Sequence, residues 1–224
     1  MLAAKEGILT PQQEQFLDYA GESKFISENF YFTGGTPLAA FYLGHRYSED
    51  IDLFIETEEV PLHQVQLFVR NIEKKLRLQK VEYNTFYGLH SFQLYFPKNY
   101  ILKVDFNYYP FLRIEKGMVY KNIAVDSVYD IAVNKVHTIA MKPRARDFVD
   151  VFFIIKEFGY DLLDLYDKAK AKFDWHIDPI KLGSQFYMVK DVKDFPRMIK
   201  PINNREWQDF FMEEAKKLKE EIME

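Results

Sequence analysis

From Phe30 to Ile55 the chain reads FYFTGGTPLAAFYLGHRYSEDIDLFI. Phe30, Tyr31 and Phe32 predict a short apolar strand that runs into the turn Thr33-Gly34-Gly35-Thr36. A helix is expected from about Pro37 to Leu43, stopped by Gly44. Asp50-Ile51-Asp52-Leu53-Phe54-Ile55 then alternates acid and apolar residues at period two, the pattern of a half-buried strand. Strand, glycine turn, helix and acidic strand follow in that order.

Upstream, Thr10 and Pro11 predict a helix start, with Gln13 three residues after the cap. Phe16, Leu17 and Ala20 form its apolar stripe, and Gly21 is the expected stop. Downstream, Val65, Phe68, Val69, Ile72 and Leu76 repeat at helical spacing, with Lys74, Lys75, Arg77 and Lys80 near the end that favours cations. Aromatic-rich runs at 81–87, 91–96 and 101–109, broken by Gly88 and by Pro97-Lys98-Asn99, predict antiparallel strands with a hairpin at 97–99. From about Ser127 the character turns helical, with segments at 127–140, 145–158 and 161–172 and a charged helix after Asn204. The expected organisation is a core over residues 1–126 and a helical region over 127–224, packed together without a Gly/Ser/Pro linker.

Composition narrows the chemistry. With 224 residues, 48% of them hydrophobic, the chain has enough apolar surface to bury a core. Zero cysteines exclude a disulfide scaffold, thiolate metal sites and a cysteine nucleophile. The net charge of −4 argues against general coating of duplex DNA, which needs a basic surface, and leaves room for a local basic patch. MLAAKEGILTPQQEQ has no apolar core of signal-peptide length and no stretch suits a membrane span, so a cytoplasmic protein is expected.

Asp50 and Asp52 stand at i and i+2, so a strand would put both carboxylates on one face. Like charges that close repel unless a cation lies between them, and a hard divalent ion such as Mg²⁺ takes oxygen ligands. The plainer alternative is a pair of acids facing water at a sheet edge. Asp105, flanked by Val104 and Phe106, completes a triad if its strand lies beside 50–55; otherwise it caps a strand or pairs with Lys103. Gly34-Gly35 would allow close backbone approach to a ligand at a helix N-terminus.

The sequence of Gly34-Gly35, then Asp50-Ile51-Asp52, then Val104-Asp105-Phe106 resembles the DNA polymerase β-like nucleotidyltransferase superfamily. More narrowly, Gly34-Gly35-Thr36-x-Leu38-Ala39 with Leu43-Gly44-His45-Arg46-x-Ser48-x-Asp50-Ile51-Asp52-Leu53-Phe54 is similar to the AbiEii/AbiGii nucleotidyltransferase toxin family. Asn134-Lys135 and Arg146-Asp147-Phe148-Val149-Asp150 match that family's later lysine and Arg-Asp-x-x-Asp helices, so the likeness spans roughly residues 10 to 155. Pro37 and Asn134 depart from it, standing where a small residue and an acid are more usual.

The resemblance implies an α/β (mixed-sheet) polymerase β-like nucleotidyltransferase core followed by a helical C-terminal region. It implies two Mg²⁺ ions on Asp50, Asp52 and Asp105, with an NTP as substrate and pyrophosphate as product. Asp105 would help to deprotonate the acceptor hydroxyl. Gly34, Gly35 and Thr36 would cradle phosphates, and Arg46 and Ser48 would help form the donor site. Lys135 would be the triphosphate cation, unless it is an ordinary surface lysine. Arg146 and Asp147 would contact nucleotide, or form with Asp150 an ion-paired brace between helices. The acceptor would be an RNA, perhaps a tRNA 3′ end, or a protein hydroxyl, and a cognate antitoxin would be a partner. A small-molecule nucleotidyltransferase and a non-catalytic nucleotide-binding module are the rival readings.

Other residues carry less. Tyr83, Phe86 and Tyr87 suit base stacking, with core or rim packing the favoured reading. His45, His90 and His176 lack metal-ligand spacing and receive no role. The terminal EEAKKLKEEIME reads as a solvated helix with i,i+4 pairs.

Overall fold

The computed structural model of the protein describes residues 4–176 and 178–223, and side chains as far as residue 218. The chain forms two compact units. The first takes the chain up to Gly44 and from Ser48 to Ser127; the second takes His45–Tyr47 and everything from Val128.

In the first unit, helix α1 (Pro11–Glu22) begins with the expected capping box: Gln13 N–H donates to Thr10 Oγ1 at 3.2 Å, and Thr10 N–H donates to Gln13 Oε1 at 2.9 Å. The buried Gln13 amide also donates to the carbonyls of Ser48 and Glu49, fixing the approach to Asp50. Gly21 lies inside α1 instead of ending it. A Cβ there would stand 1.6 Å from the Lys121 carbonyl oxygen, so its requirement is close backbone approach. A short helix α2 (Lys24–Asn29), capped by Ser23 and absent from the sequence expectations, leads into β1 (Tyr31–Thr33).

The glycine turn opens α3 (Gly35–Pro37), which continues as a wide turn over Leu38–Leu43 closed by Gly44 N–H to Ala39 O. The helix thus starts two residues earlier than expected and is not regularly α-helical beyond Pro37. Strand β2 (Ile51–Ile55) alternates as predicted, with Ile51, Leu53 and Ile55 buried. Helix α4 (Leu62–Lys75) precedes the antiparallel strands β3 (Lys80–Phe86), β4 (Leu89–Phe96) and β5 (Tyr100–Tyr108), with the connection at Pro97–Asn99 as expected. Two short strands, β6 (Val119–Tyr120) and β7 (Ile123–Val125), add to the sheet.

Among the described residues the sheet has seven strands in the order β3-β4-β5-β2-β1-β7-β6. It is mixed: β1 is antiparallel to β2 and parallel to β7, while β2 is parallel to β5. One core joins Leu53, Val104 and Phe106 of the sheet to Phe16, Leu17, Val65 and Phe68 of the helices. Part of the aromatic excess lies here, in edge-to-face pairs such as Phe16–Phe68 and Phe92–Phe106.

The second unit is helical: α5 (Val128–Met141), α6 (Ala145–Phe158), α7 (Leu162–Phe173), α8 (Pro179–Tyr187) and α9 (Asn204–Met223). Fully buried Trp207 and Phe211 pack on Phe148, and Phe186 packs on Phe211. The recorded ion pairs near the end of α9, Glu213–Lys216 and Glu214–Lys217, are spaced i,i+3 instead of i,i+4; side chains from 219 lie outside the described residues. No described helix is long and apolar enough to cross a membrane.

His137 of α5 stacks on Phe173 at 3.9 Å and meets Trp175 edge-on. Burial lowers its pKa to about 4. The unfolded chain takes up a proton below about 6.5, whereas the folded ring stays neutral to about 4, so stability falls as pH drops through that window. Allowing for the ring's partial exposure, the loss should be about 1 kcal/mol, or about 3 °C in Tm. His137→Phe should flatten the Tm profile between pH 7 and 4; an unchanged profile would show that the ring is not the titrating group.

Candidate active site

Two of the expected acids stand side by side in the sheet, and Asp50 directly precedes the strand that carries the first. Strand β5 lies beside β2 in a register that sets Asp105 directly against Asp52. The same row runs on through Ser91 to Asn84 on one side and to Thr33 on the other, so these residues share a face. Ser91 Oγ donates to Asp105 Oδ1 at 2.6 Å. Lys103, two residues before Asp105 and on its face, places Nζ 2.5 Å from Asp105 Oδ2 and 3.7 Å from Asp50 Oδ2. Both sequence readings of Asp105 hold together: it joins the acids and it pairs with Lys103.

Gly34 turns the chain at φ +87°, ψ −155°, a conformation that favours glycine. A Cβ there would lie 2.6 Å from Asp52 Oδ2, so the missing side chain gives the carboxylate its room. Thr36 is buried, and its hydroxyl donates to the Asp50 carbonyl. The hydroxyl thereby pins Asp50. Burial pulls the Lys103 ammonium down, but its bond to Asp105 and the charges of Asp105, Asp50 and Asp52 outweigh this and hold it above the ordinary lysine range.

Among the described residues no three carboxylate or imidazole groups are drawn together as a ready-made ion cage. The donor set nevertheless suits a hard divalent ion. Asp50, Asp52 and Asp105 offer only oxygen, and the carboxylates of Asp50 and Asp105 already share one cation, the Lys103 ammonium.

Of the other expected nucleotide-contacting residues, Arg46, Lys135, Arg146 and Asp147 lie in the second unit. Lys135 is buried, with Nζ 2.9 Å from Asp147 Oδ1 and 2.6 Å from Asp150 Oδ2, so it is not a surface lysine. Arg46 binds Asp150 in bidentate fashion, Nε to Oδ1 at 2.6 Å and Nη2 to Oδ2 at 2.7 Å. Asp147 also takes Arg144 at 2.7 Å. The brace is therefore real, but Arg146 is exposed and its place is filled by Arg46, Lys135 and Arg144. Ser48, before the acid pair, is half-buried and accepts the Gln13 amide through its carbonyl.

Sequence reasoning missed His45 and Ser91, and saw Lys103 only as a partner of Asp105. His45 is buried, and its Nε2 lies 2.6 Å from Asp150 Oδ1. Burial lowers its pKa, so the ring is assigned neutral, with Nε2 donating and Nδ1 lacking a partner. Burial alone would raise Asp150, yet Arg46 and Lys135 hold it well below the carboxylate range. Packing explains Tyr83, which stacks on His90, but Phe86 and Tyr87 are exposed at the β3–β4 turn, against the favoured reading.

A mixed sheet that gathers three aspartates beside a glycine turn and helix start is the arrangement of a nucleotidyltransferase core. The family model described as nucleotidyl transferase AbiEii toxin, type IV toxin–antitoxin system, matches residues 20–221, and the chain belongs to that family. A protein of Aquifex aeolicus (strain VF5), described as uncharacterized protein aq_aa25, is 31% identical over 149 residues, covering 66% of this chain and 68% of its own. Two Helicobacter pylori crystal structures share the fold. JHP933 does so at TM-score 0.56 and 17% identity, covering 98% of this chain and 94% of its own. A candidate nucleotidyltransferase does so at TM-score 0.58 and 19% identity, covering 98% and 97%.

Proposed function

We propose that the protein transfers an NMP from an NTP to a hydroxyl of an RNA, acting as the toxin of a pair whose antitoxin restrains it. The in-register pair Asp52 and Asp105, beside Asp50 and the Gly34 turn, carries this reading. In it, the first unit is the nucleotidyltransferase core, and Asp50, Asp52 and Asp105 hold Mg²⁺. When bound, the metal neutralises charge on the triphosphate and polarises the reacting phosphate. Gly34 and Gly35 let the backbone approach the triphosphate at the start of α3. Asp105, steadied by Ser91, takes the proton of the attacking hydroxyl. The oxygen–phosphorus bond to the acceptor forms at the α-phosphorus as the bond to pyrophosphate breaks.

The exposed β3 end of this row favours a macromolecular acceptor over a small molecule. Asn84 continues the row of the acids, and the exposed Phe86 lies two residues further along the same strand face. Exposed rings suit stacking by unpaired bases. Arg46, Lys135 and Asp147 enter this reading as a brace for the second unit.

The test is transfer of label from each α-labelled NTP to total cellular RNA and protein, with and without EDTA. Label in RNA from one NTP, abolished by EDTA, is expected. Label in protein alone would redirect the acceptor, and no label in either would reject the RNA reading.

A further inference from the structure

Resting on the reading of the three aspartates as metal donors, we propose that Lys103 is a resident counter-ion. It holds the carboxylates together when no metal is bound and competes with the divalent cation for them. Lys103 Nζ touches Asp105 and reaches within 3.7 Å of Asp50, and it feels the charge of Asp52. Three carboxylates and one ammonium leave a net charge of −2. Without the lysine the same cluster would carry −3.

The geometry separates this from an ordinary strand ion pair. Asp105 is nearly buried, so its charge needs a partner; Lys103 is 39% exposed, so it supplies one on a stem that can leave. Lysine suits this task better than arginine because it is a point charge without a fixed fork. With a divalent ion on the aspartates, the partly exposed ammonium would be free to pair with an anionic triphosphate. Lys103 thereby sets the ion concentration at which the site fills.

The experiment is Mn²⁺ binding to the full chain, followed by the paramagnetic signal of the free ion, together with Tm in EDTA. Lys103→Met and Lys103→Gln should each bind Mn²⁺ about tenfold more tightly than wild type, the order expected for removing one competing charge at about 4 Å in a partly exposed site. Both should melt lower than wild type in EDTA and recover that loss when Mn²⁺ is added. Lys103→Arg should stay near wild type. Unchanged or weaker Mn²⁺ binding in folded Met and Gln variants would overturn the counter-ion role. Asp52→Asn checks the underlying reading separately. If it binds Mn²⁺ as wild type does, the metal-donor assignment fails and the inference with it. If it loses binding while the Lys103 variants gain none, only the inference fails.

Discussion

Asp150→Ala should lower Tm by about 10 °C, reflecting a loss of about 3–5 kcal/mol. Asp150 is fully buried and accepts from Arg46 Nε and Nη2, His45 Nε2 and Lys135 Nζ, all at 2.6–2.7 Å. Removing it leaves an arginine and a lysine buried with one shared carboxylate fewer, and those charges cannot follow it into solvent. Desolvation of unpaired cations exceeds the modest net worth of the pairs themselves. The sign with pH agrees: Asp147 and Asp150 are held below the ordinary carboxylate range, so their contribution is present above about pH 4 and is lost as pH falls through their folded values. Arg146→Ala, four residues before Asp150 but exposed, should change stability by less than about 0.5 kcal/mol. Thermal and urea unfolding of the two variants check this. An Asp150→Ala protein melting within about 2 °C of wild type would mean that the network contributes little.

Asp52→Asn should cut NMP transfer by about 10³-fold or more while leaving Tm nearly unchanged. Asp52 is half-buried at the end of β2 and lies in register with Asp105, where its charge adds to two others of the same sign. Sites that crowd like charges for chemistry lose little stability when one charge is removed. Gly34→Ala is the informative companion. Its Cβ would press on Asp52 Oδ2, and its φ of +87° is unfavourable for any residue with a Cβ. It should lose activity by about 10²-fold through displacement of the carboxylate, and lose about 1–2 kcal/mol of stability as well. Steady-state transfer rates and melting curves of both variants distinguish the effects. Full activity in Asp52→Asn would remove this aspartate from the chemistry.

Much of the site's first unit was legible because its signals are local. The Thr10–Gln13 cap, the alternation of Asp50–Ile55 and the Pro97–Asn99 connection each depend on residues a few positions apart. What was not legible depends on partners far along the chain. His45 and Arg46 find Asp150 across 105 and 104 residues, and no spacing rule links them. Lys135 looked available for phosphate because helix periodicity reveals which face is buried only in outline, and its two carboxylate partners arise on another helix. Lys103 was visible as a neighbour of Asp105, but its reach to Asp50 follows from the parallel pairing of β2 with β5. The sheet order itself, with β2 inserted between β5 and β1, is a matter of tertiary pairing.

The placement of His45–Tyr47 has a consequence for how this chain can be cut and exchanged. These residues precede Asp50 by only a few positions, yet their partners are Asp150 and the backbone of 197–200. The chain therefore passes between its two bodies at three points, and no single break separates them. Ending a fragment at Ser127 would leave Arg46 and His45 with their acid deleted, and starting one at Val128 would leave Asp150 with its arginine deleted. The helical portion is consequently not a module that could be grafted, swapped or shed as a block: inheritance of the His45–Tyr47 segment and of the late helices is tied, and each constrains the variation the other can accept.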